Sequence, residues 1–516
     1  MIKKDNSANP NKVAKTLSFI PFGFEAKKIS IEGTVTQGLP SFNIVGMGSR
    51  TVFEARERVK SALRNQGFSF PSQKITINLA PADLEKNGTF LDLPIAINIL
   101  ILSSQLRQED TKDFAFVGEL SLDGSIKPIK GIINIVEEAR NHHVSTLFIP
   151  SENYVQASII SGINLIPARS LTEIYQHLKA QLNLTKIIKM PTLRRATNNP
   201  SNETLPKLDD IRGQSIAKRA LVIAVAGRHN ILLSGPPGTG KTMLARAALN
   251  LLPKLSTEEK IAVTKLHALD TFTNSIVDDR PFRTPHHTSS LSSLIGGGPG
   301  AKPGEVSLAH LGILFLDELP EYPKPYLESL RQPLEDRKIT ISRVRCKTTY
   351  PADFMLVATM NPCPCGYYGD KSRPCTCTES QIRNYKRKLS GPLLDRIDLF
   401  VEVSRPDITS LEQVTDGSEQ KNAKSSIKAA LEVQKHRYKD ASFFNASVPT
   451  QEIANRFNLT KSAKSLLNAA AKSLNLSARS YFKVIKVART IADLESNPAI
   501  DSPHISEALT FRQKSS

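Results

Sequence analysis

The sequence predicts an α/β protein. A buried parallel sheet carries a phosphate-binding loop, a helical region follows it, and a separate α+β module precedes it. Three observations support this reading. An apolar run at residues 231–233 leads into GPPGTGKT, from Gly235 to Thr242, and the helical pattern TMLARAALNLL comes next. Two later runs, ILFL and FMLVATM, are apolar throughout, as strands covered on both faces are. The stretch PTLRRATNNPSNETLPK, residues 191–207, is rich in Pro, Asn, Ser and Thr and reads as a linker.

Ahead of that linker, KKISIEGTV, SFNIVG, KITINLAP and FAFVGELSL alternate with the period of strands. TVFEARERVKSALRNQ and DLPIAINILILSSQ have the period of helices, which makes residues 1–190 an α+β module. Residues 208–405 hold the phosphate-binding sheet. Beyond a softer break near SRPDITSLEQVTDGSEQKN, residues 406–516 carry Ala-, Leu- and Lys-rich helical patterns. No repeat of solenoid period is visible.

The bulk composition narrows the function. A chain of 516 residues can bury several cores. Its most apolar stretch, FLDLPIAINILIL, is short and interrupted by Asp92 and Pro94, and the N-terminus lacks the apolar core of a signal peptide. A cytoplasmic protein without membrane partners is expected. Lys and Arg number 68 against 49 Asp and Glu, a formal charge of +19. Such an excess favours polyanions, with nucleic acid ahead of acidic membranes or proteins, although solubility alone would produce the same excess.

The chemistry gathers at the ends of the apolar runs. In GPPGTGKT, the backbone N–H groups of Gly235, Pro236, Pro237, Gly238, Thr239 and Gly240 (the prolines excepted) can face a phosphate chain, and the following helix adds its positive end. Lys241 reaches the β- and γ-phosphates, and the Thr242 hydroxyl can ligate Mg²⁺. ATP with Mg²⁺ is the expected cofactor. Asp317 stands at the end of the 313–316 run as a second Mg²⁺ ligand, and Glu318 can polarise an attacking water. FMLVATMNP ends in Asn361, whose amide can orient that water or touch the γ-phosphate. Ile211 and Gln214, upstream in LDDIRGQ, are placed at the adenine edge.

The order DIRGQ, GPPGTGKT, LFLDE, ATMNP and PLLDRID resembles the AAA+ ATPases. The stretch RPFRTPHHTSSLSSLIGGGPGAKPGEVSLAHLGILFLDELPEY is similar to their magnesium-chelatase-like branch, in which an insert interrupts the second helix, and the whole is closest to the YifB/ComM group. The resemblance implies a helical C-terminal lid and a homo-hexameric ring acting on DNA as a branch-migration helicase, with recombination proteins as partners in natural transformation. It assigns Arg396 in LLDRID as an arginine finger reaching into the neighbouring subunit's site. It assigns Arg479 in LSARSYFKVIKVARTIADLE as the sensor-2 arginine, with Arg489 a weaker candidate. GELSLDGSIKPIKGIINIVEEA resembles the Lon protease domain, but the serine and lysine positions of that family hold Phe90 and Ile133, and Thr89 has no lysine in register. The module is expected to be a scaffold without protease chemistry. The alternatives are a chelatase-type motor that drives metal insertion and an ATP-dependent protease.

If the ring is a motor, EDRKITISRVRCKTTYPADF offers a basic hairpin with Arg337, Lys338, Arg343, Arg345 and Lys347 and no acid among them. RNYKRK, residues 383–388, is a second basic cluster. The His286–His287 pair lacks further spaced ligands and is weak as a metal site. The glycine-rich insert around it is expected to be a mobile loop. With no Trp, backbone tracking fits better than base stacking. Finally, Cys363, Cys365, Cys375 and Cys377 form C-x-C-x₉-C-x-C, which suits a structural Zn²⁺, with inert thiols and redox chemistry as the other readings. Cys346 stands apart and is expected to pack.

Overall fold

A computed structural model of the protein describes residues 13–46, 50–86, 88–184, 205–271, 275–298, 302–343, 346–370, 373–405, 417–439 and 443–513. Most of the predicted linker, and the break after residue 405, lie outside them.

The N-terminal module is built on a seven-stranded mixed sheet. Its strands run in the order Ser41–Val45, Lys74–Ala80, Glu25–Thr36, Val13–Phe22, Phe114–Phe116, Thr146–Pro150 and Asn164–Ala168. The long Val13–Phe22 strand, which its Ser, Thr and Pro content hides from a periodicity search, pairs antiparallel with Glu25–Thr36. Helix Asp92–Leu102 is buried at every residue, which explains why its pattern is apolar all round rather than amphipathic.

The central sheet has five strands, all parallel, in the order Phe282–Arg283, Ile313–Leu316, Met355–Met360, Ile231–Ser234, Leu399–Glu402. The strand carrying the phosphate loop therefore lies between Met355–Met360 and Leu399–Glu402, and the carboxyl ends of its neighbours converge beside it. Ile313, Leu314 and Leu316 are fully buried, as sandwiching between helices requires.

Among its described residues the insert contains helix Leu291–Ile295 and an antiparallel pair, Gly296–Gly297 with Lys302–Pro303. Leu294 anchors it by packing into the apolar cluster under the sheet. Serine capping starts the helix, since the Ser290 hydroxyl accepts from the Ser293 N–H.

Strands Lys338–Arg343 and Cys346–Pro351 form the predicted hairpin. One face is apolar. Ile339, Ile341 and Tyr350 pack with Leu266, and Phe24 of the N-terminal module joins them. Helix Thr257–Asp270 forms the rest of this seam. The Gly131 N–H donates to the Ala268 carbonyl at 3.2 Å, Lys130 Nζ donates to the Asp270 carbonyl at 3.0 Å, and Lys265 pairs with Glu137.

The described part of the C-terminal region is built mainly on helices Glu419–Tyr438, Lys461–Ser473, Ala478–Leu494 and Ser502–Thr510, with the short helix Ile453–Arg456 between the first two. Arg489 is not a site residue. It is 1% exposed and shares Asp493 with Arg437, and its guanidinium also donates to the Pro498 carbonyl. A buried carboxylate needs such cations, so Arg489 serves the interior of the C-terminal helical region.

Candidate nucleotide site and cysteine cluster

The phosphate loop is held by its neighbours. The Gly235 N–H donates to the Met360 carbonyl at 3.2 Å, and a Cβ on Gly235 would come within 2.1 Å of the Val403 carbonyl oxygen. Only glycine fits there. Gly240 has φ +82 and starts helix Lys241–Leu251, so the helix's free N–H groups open toward the loop.

Lys241 is buried, and its Nζ donates to the carbonyls of Gly235 and Pro236 at 2.6 and 2.8 Å and to Asn361 Oδ1 at 3.1 Å. Burial pushes its pKa down, and the charges of Asp317 and Glu318 oppose that shift. Asn361 Nδ2 in turn donates to Glu318 Oε1 at 3.4 Å. One amide thus bridges the loop lysine and the candidate general base. Glu318 adopts φ +53, a left-handed conformation that costs a non-glycine residue energy.

A residue not singled out from the sequence joins the two carboxylates. Thr359 is fully buried, donates its hydroxyl to Asp317 Oδ1 at 2.5 Å, and accepts the Glu318 N–H at 2.9 Å. ATMNP alone does not point to Thr359: only the parallel register, which pairs Ala358 with Leu316, sets Thr359 and Asp317 side by side. Thr242, Asp317 and Glu318 line a cavity of about 490 Å³ together with Arg246, His287 and Tyr322. The histidine pair, set aside as a metal site, forms part of this wall, with the rings of His286 and His287 4.1 Å apart. Ile211 is buried in the core beneath, and Gln214 donates its amide to the Ser404 carbonyl at 2.5 Å. Neither lines the cavity.

Arg396 and Arg479 lie elsewhere. Both reach Glu335, Arg396 at 2.5 Å and Arg479 at 3.2 Å, and Arg479 also pairs with Asp395 at 3.4 Å. Their cavity, about 430 Å³, is walled by Arg228, Arg337, Lys483 and Lys486 as well. Arg396 and Arg479 take no part in lining the cavity of Thr242 and Asp317. Among the described residues, the buried Arg396 Nε finds no hydrogen-bond acceptor. Glu335 had no signature in the sequence, since it reads as one more exposed acid on a helix.

Arg337 is displaced from its expected role on the hairpin. It has φ +53, precedes the first strand, and faces Asp353 at 3.7 Å, so it belongs to the hairpin's base. Lys338 and Lys347 are exposed on the strands. Arg345 and the side chains of Arg343 and Cys346 lie outside the described residues. Arg383 is exposed and pairs with Glu379, and Lys388 pairs with Glu321.

The four cysteines come together. Cys363 Sγ lies 3.3 Å from Cys365 Sγ and 3.7 Å from Cys375 Sγ, and all four sulfurs fall within 4.8 Å of one another. In the N-terminal module, Ile133 is fully buried in an apolar cluster, and the Thr89 hydroxyl donates to Glu119.

Comparison with known proteins adds three family matches: "Magnesium chelatase, subunit ChlI" over residues 207–411, "Subunit ChlI of Mg-chelatase" over 31–153, and "Magnesium chelatase, subunit ChlI C-terminal" over 417–512. Competence protein ComM of Haemophilus influenzae is 42% identical over 497 residues, 95% of each chain. The chain belongs to the magnesium-chelatase-like AAA+ ATPases of the ComM/YifB group. YifB of Salmonella typhimurium is 41% identical over 499 residues, again 95% of each chain. Lon protease 2 of Bacillus subtilis is 31% identical over 153 residues, 27% of each chain, in keeping with a Lon-like N-terminal part. Membership makes the protein an AAA+ ATPase with ATP and Mg²⁺ as its cofactors. Among the described residues no helix is long and apolar enough to cross a membrane.

Proposed function

We propose that the protein assembles in the cytoplasm as a ring of six identical subunits that hydrolyse ATP at their interfaces and translocate on DNA, driving branch migration in recombination during natural transformation. The observation that carries this reading is the separation of Arg396 and Arg479 from the cavity of Thr242, Asp317 and Glu318 in one chain. A hydrolytic site that needs a cation to neutralise transition-state charge would then be completed by the next subunit.

In that site the loop from Gly235 to Thr242 cradles the triphosphate, with Lys241 on its terminal phosphates. The donor set fits Mg²⁺. Thr242 and Asp317 offer oxygens on one cavity wall, and Thr359 occupies only one oxygen of Asp317. Bound Mg²⁺ would neutralise phosphate charge there. Glu318 takes a proton from water that Asn361 orients. Residues 1–190 act as an inactive Lon-like scaffold, 208–405 as the motor core and 406–516 as the lid. Lys338, Arg343, Arg345 and Lys347 touch DNA phosphates from the hairpin, and the four cysteines hold a structural Zn²⁺.

The test is ATP hydrolysis with and without single-stranded and branched DNA, between about 50 and 200 mM salt. DNA should stimulate hydrolysis, the stimulation should fade with salt, and specific activity should fall on dilution. A rate indifferent to both DNA and protein concentration would refute the proposal. Indifference to DNA alone would favour a chelatase-type motor, a reading that the names of the family matches keep in view.

A further inference from the structure

We infer that the four-cysteine site is a metal clip for the phosphate loop, so that its occupancy sets nucleotide affinity. The inference rests on the zinc reading above and adds a function to it.

Four sulfurs at about 2.3 Å from a tetrahedral Zn²⁺ lie about 3.8 Å apart. Three of the pairs here, among Cys363, Cys365 and Cys375, are separated by 3.3, 3.6 and 3.7 Å. A disulfide would bring two sulfurs to about 2.05 Å. Backbone donors already point at the sulfurs: the Cys365 N–H at Cys377, the Tyr368 N–H at Cys363 and the Cys377 N–H at Cys375, at 3.3–3.4 Å. Such outer donors stabilise thiolate charge and orient metal ligands. A short loop with so many polar groups has little apolar surface to hold it, and a metal supplies the missing folding energy.

The loop is attached at the catalytic tip. Asn361, the lysine's amide partner, stands two residues before Cys363. Gly366 has φ +87, and its N–H donates to the Cys363 carbonyl at 3.0 Å. A Cβ at Gly366 would meet Pro237 Cδ at 2.7 Å, so the loop rests directly on the GPPGTGKT turn. On its other side Asp370 pairs with Arg405 at 3.3 Å, where the chain leaves the last strand of the sheet. Metal at the cysteines therefore fixes both the roof of the phosphate loop and the position of Asn361.

Two preparations test this, with binding of a fluorescent ADP as the readout. The purified protein should hold about one zinc per chain, and Co²⁺ exchanged into it should give the absorption of tetrahedral thiolate coordination. Chelator-stripped protein should bind the nucleotide at least about tenfold more weakly, and Zn²⁺ should restore affinity. Gly366→Ala should keep its zinc yet also bind more weakly, because its methyl pushes the loop off Pro237. Zinc well below stoichiometry with four reactive thiols overturns the metal reading. Full zinc in the purified protein together with parental nucleotide affinity after stripping overturns the clip while leaving the metal in place. Should Gly366→Ala not fold, the stripped protein alone decides.

Discussion

Thr359→Val isolates the hydroxyl that ties the two carboxylates together while preserving shape. The parent hydroxyl donates to Asp317 at 2.5 Å and accepts the Glu318 N–H at 2.9 Å in a fully buried position. A hydrogen bond to a charged group is worth about 1.5–3 kcal/mol, and a buried N–H left without an acceptor costs about 1–3 kcal/mol. Both vanish together, and Asp317 borders a cavity that water can enter, so the lower ends apply. The sum is about 2.5 kcal/mol, roughly 70-fold in kcat/KM for Mg-ATP. The assay is phosphate release across a Mg²⁺ titration, with thermal unfolding alongside. Activity should fall most at limiting Mg²⁺, since Asp317 is freed to turn away from the metal, and Thr359→Ser should recover most of it. A kcat/KM within about threefold of the parent at limiting Mg²⁺ would refute the idea that Thr359 sets the carboxylates.

Glu318→Gln should lose hydrolysis by at least about a hundredfold while still binding ATP, as measured by phosphate release and nucleotide titration. Glu335→Gln removes the carboxylate shared by Arg396 and Arg479, and Glu335 lies in the last turn of helix Arg331–Asp336, which Arg337 caps just before the hairpin. Its DNA stimulation should therefore drop more than its DNA-free rate. His310, pushed down to about 4 by burial, accepts the Asp353 N–H at 3.1 Å. The unfolded chain takes up that proton near pH 6.5, so stability present above about pH 6.5 should be lost as pH falls toward 4, by up to about 3 kcal/mol. His310→Gln should flatten that part of a pH series of denaturant melts.

Three of the five central strands, at residues 231–234, 313–316 and 355–360, were legible because full burial leaves an unbroken apolar run, as in residues 313–316, and because helix and loop signals flank residues 231–234. Phe282–Arg283 was not, since two residues carry no period. The insert's helix was hidden in a Ser- and Gly-rich stretch whose local propensity favours turns. Burial of Leu294 and a serine cap outweigh that propensity.

Local chemistry in the sequence was enough to specify the loop that meets phosphate, the carboxylates at 317 and 318, the amide at 361 and two cysteine pairs. These residues announce themselves because a glycine turn, a strand-end acid and a C-x-C each make sense within a few neighbours. Tertiary structure alone decided that Thr359 bonds to Asp317 across 42 residues and that Glu335 gathers arginines from 61 and 144 residues away. It also decided that Gly366 rests on Pro237. Pairings at such separations depend on strand order and on the packing of whole elements, and a single sequence records neither.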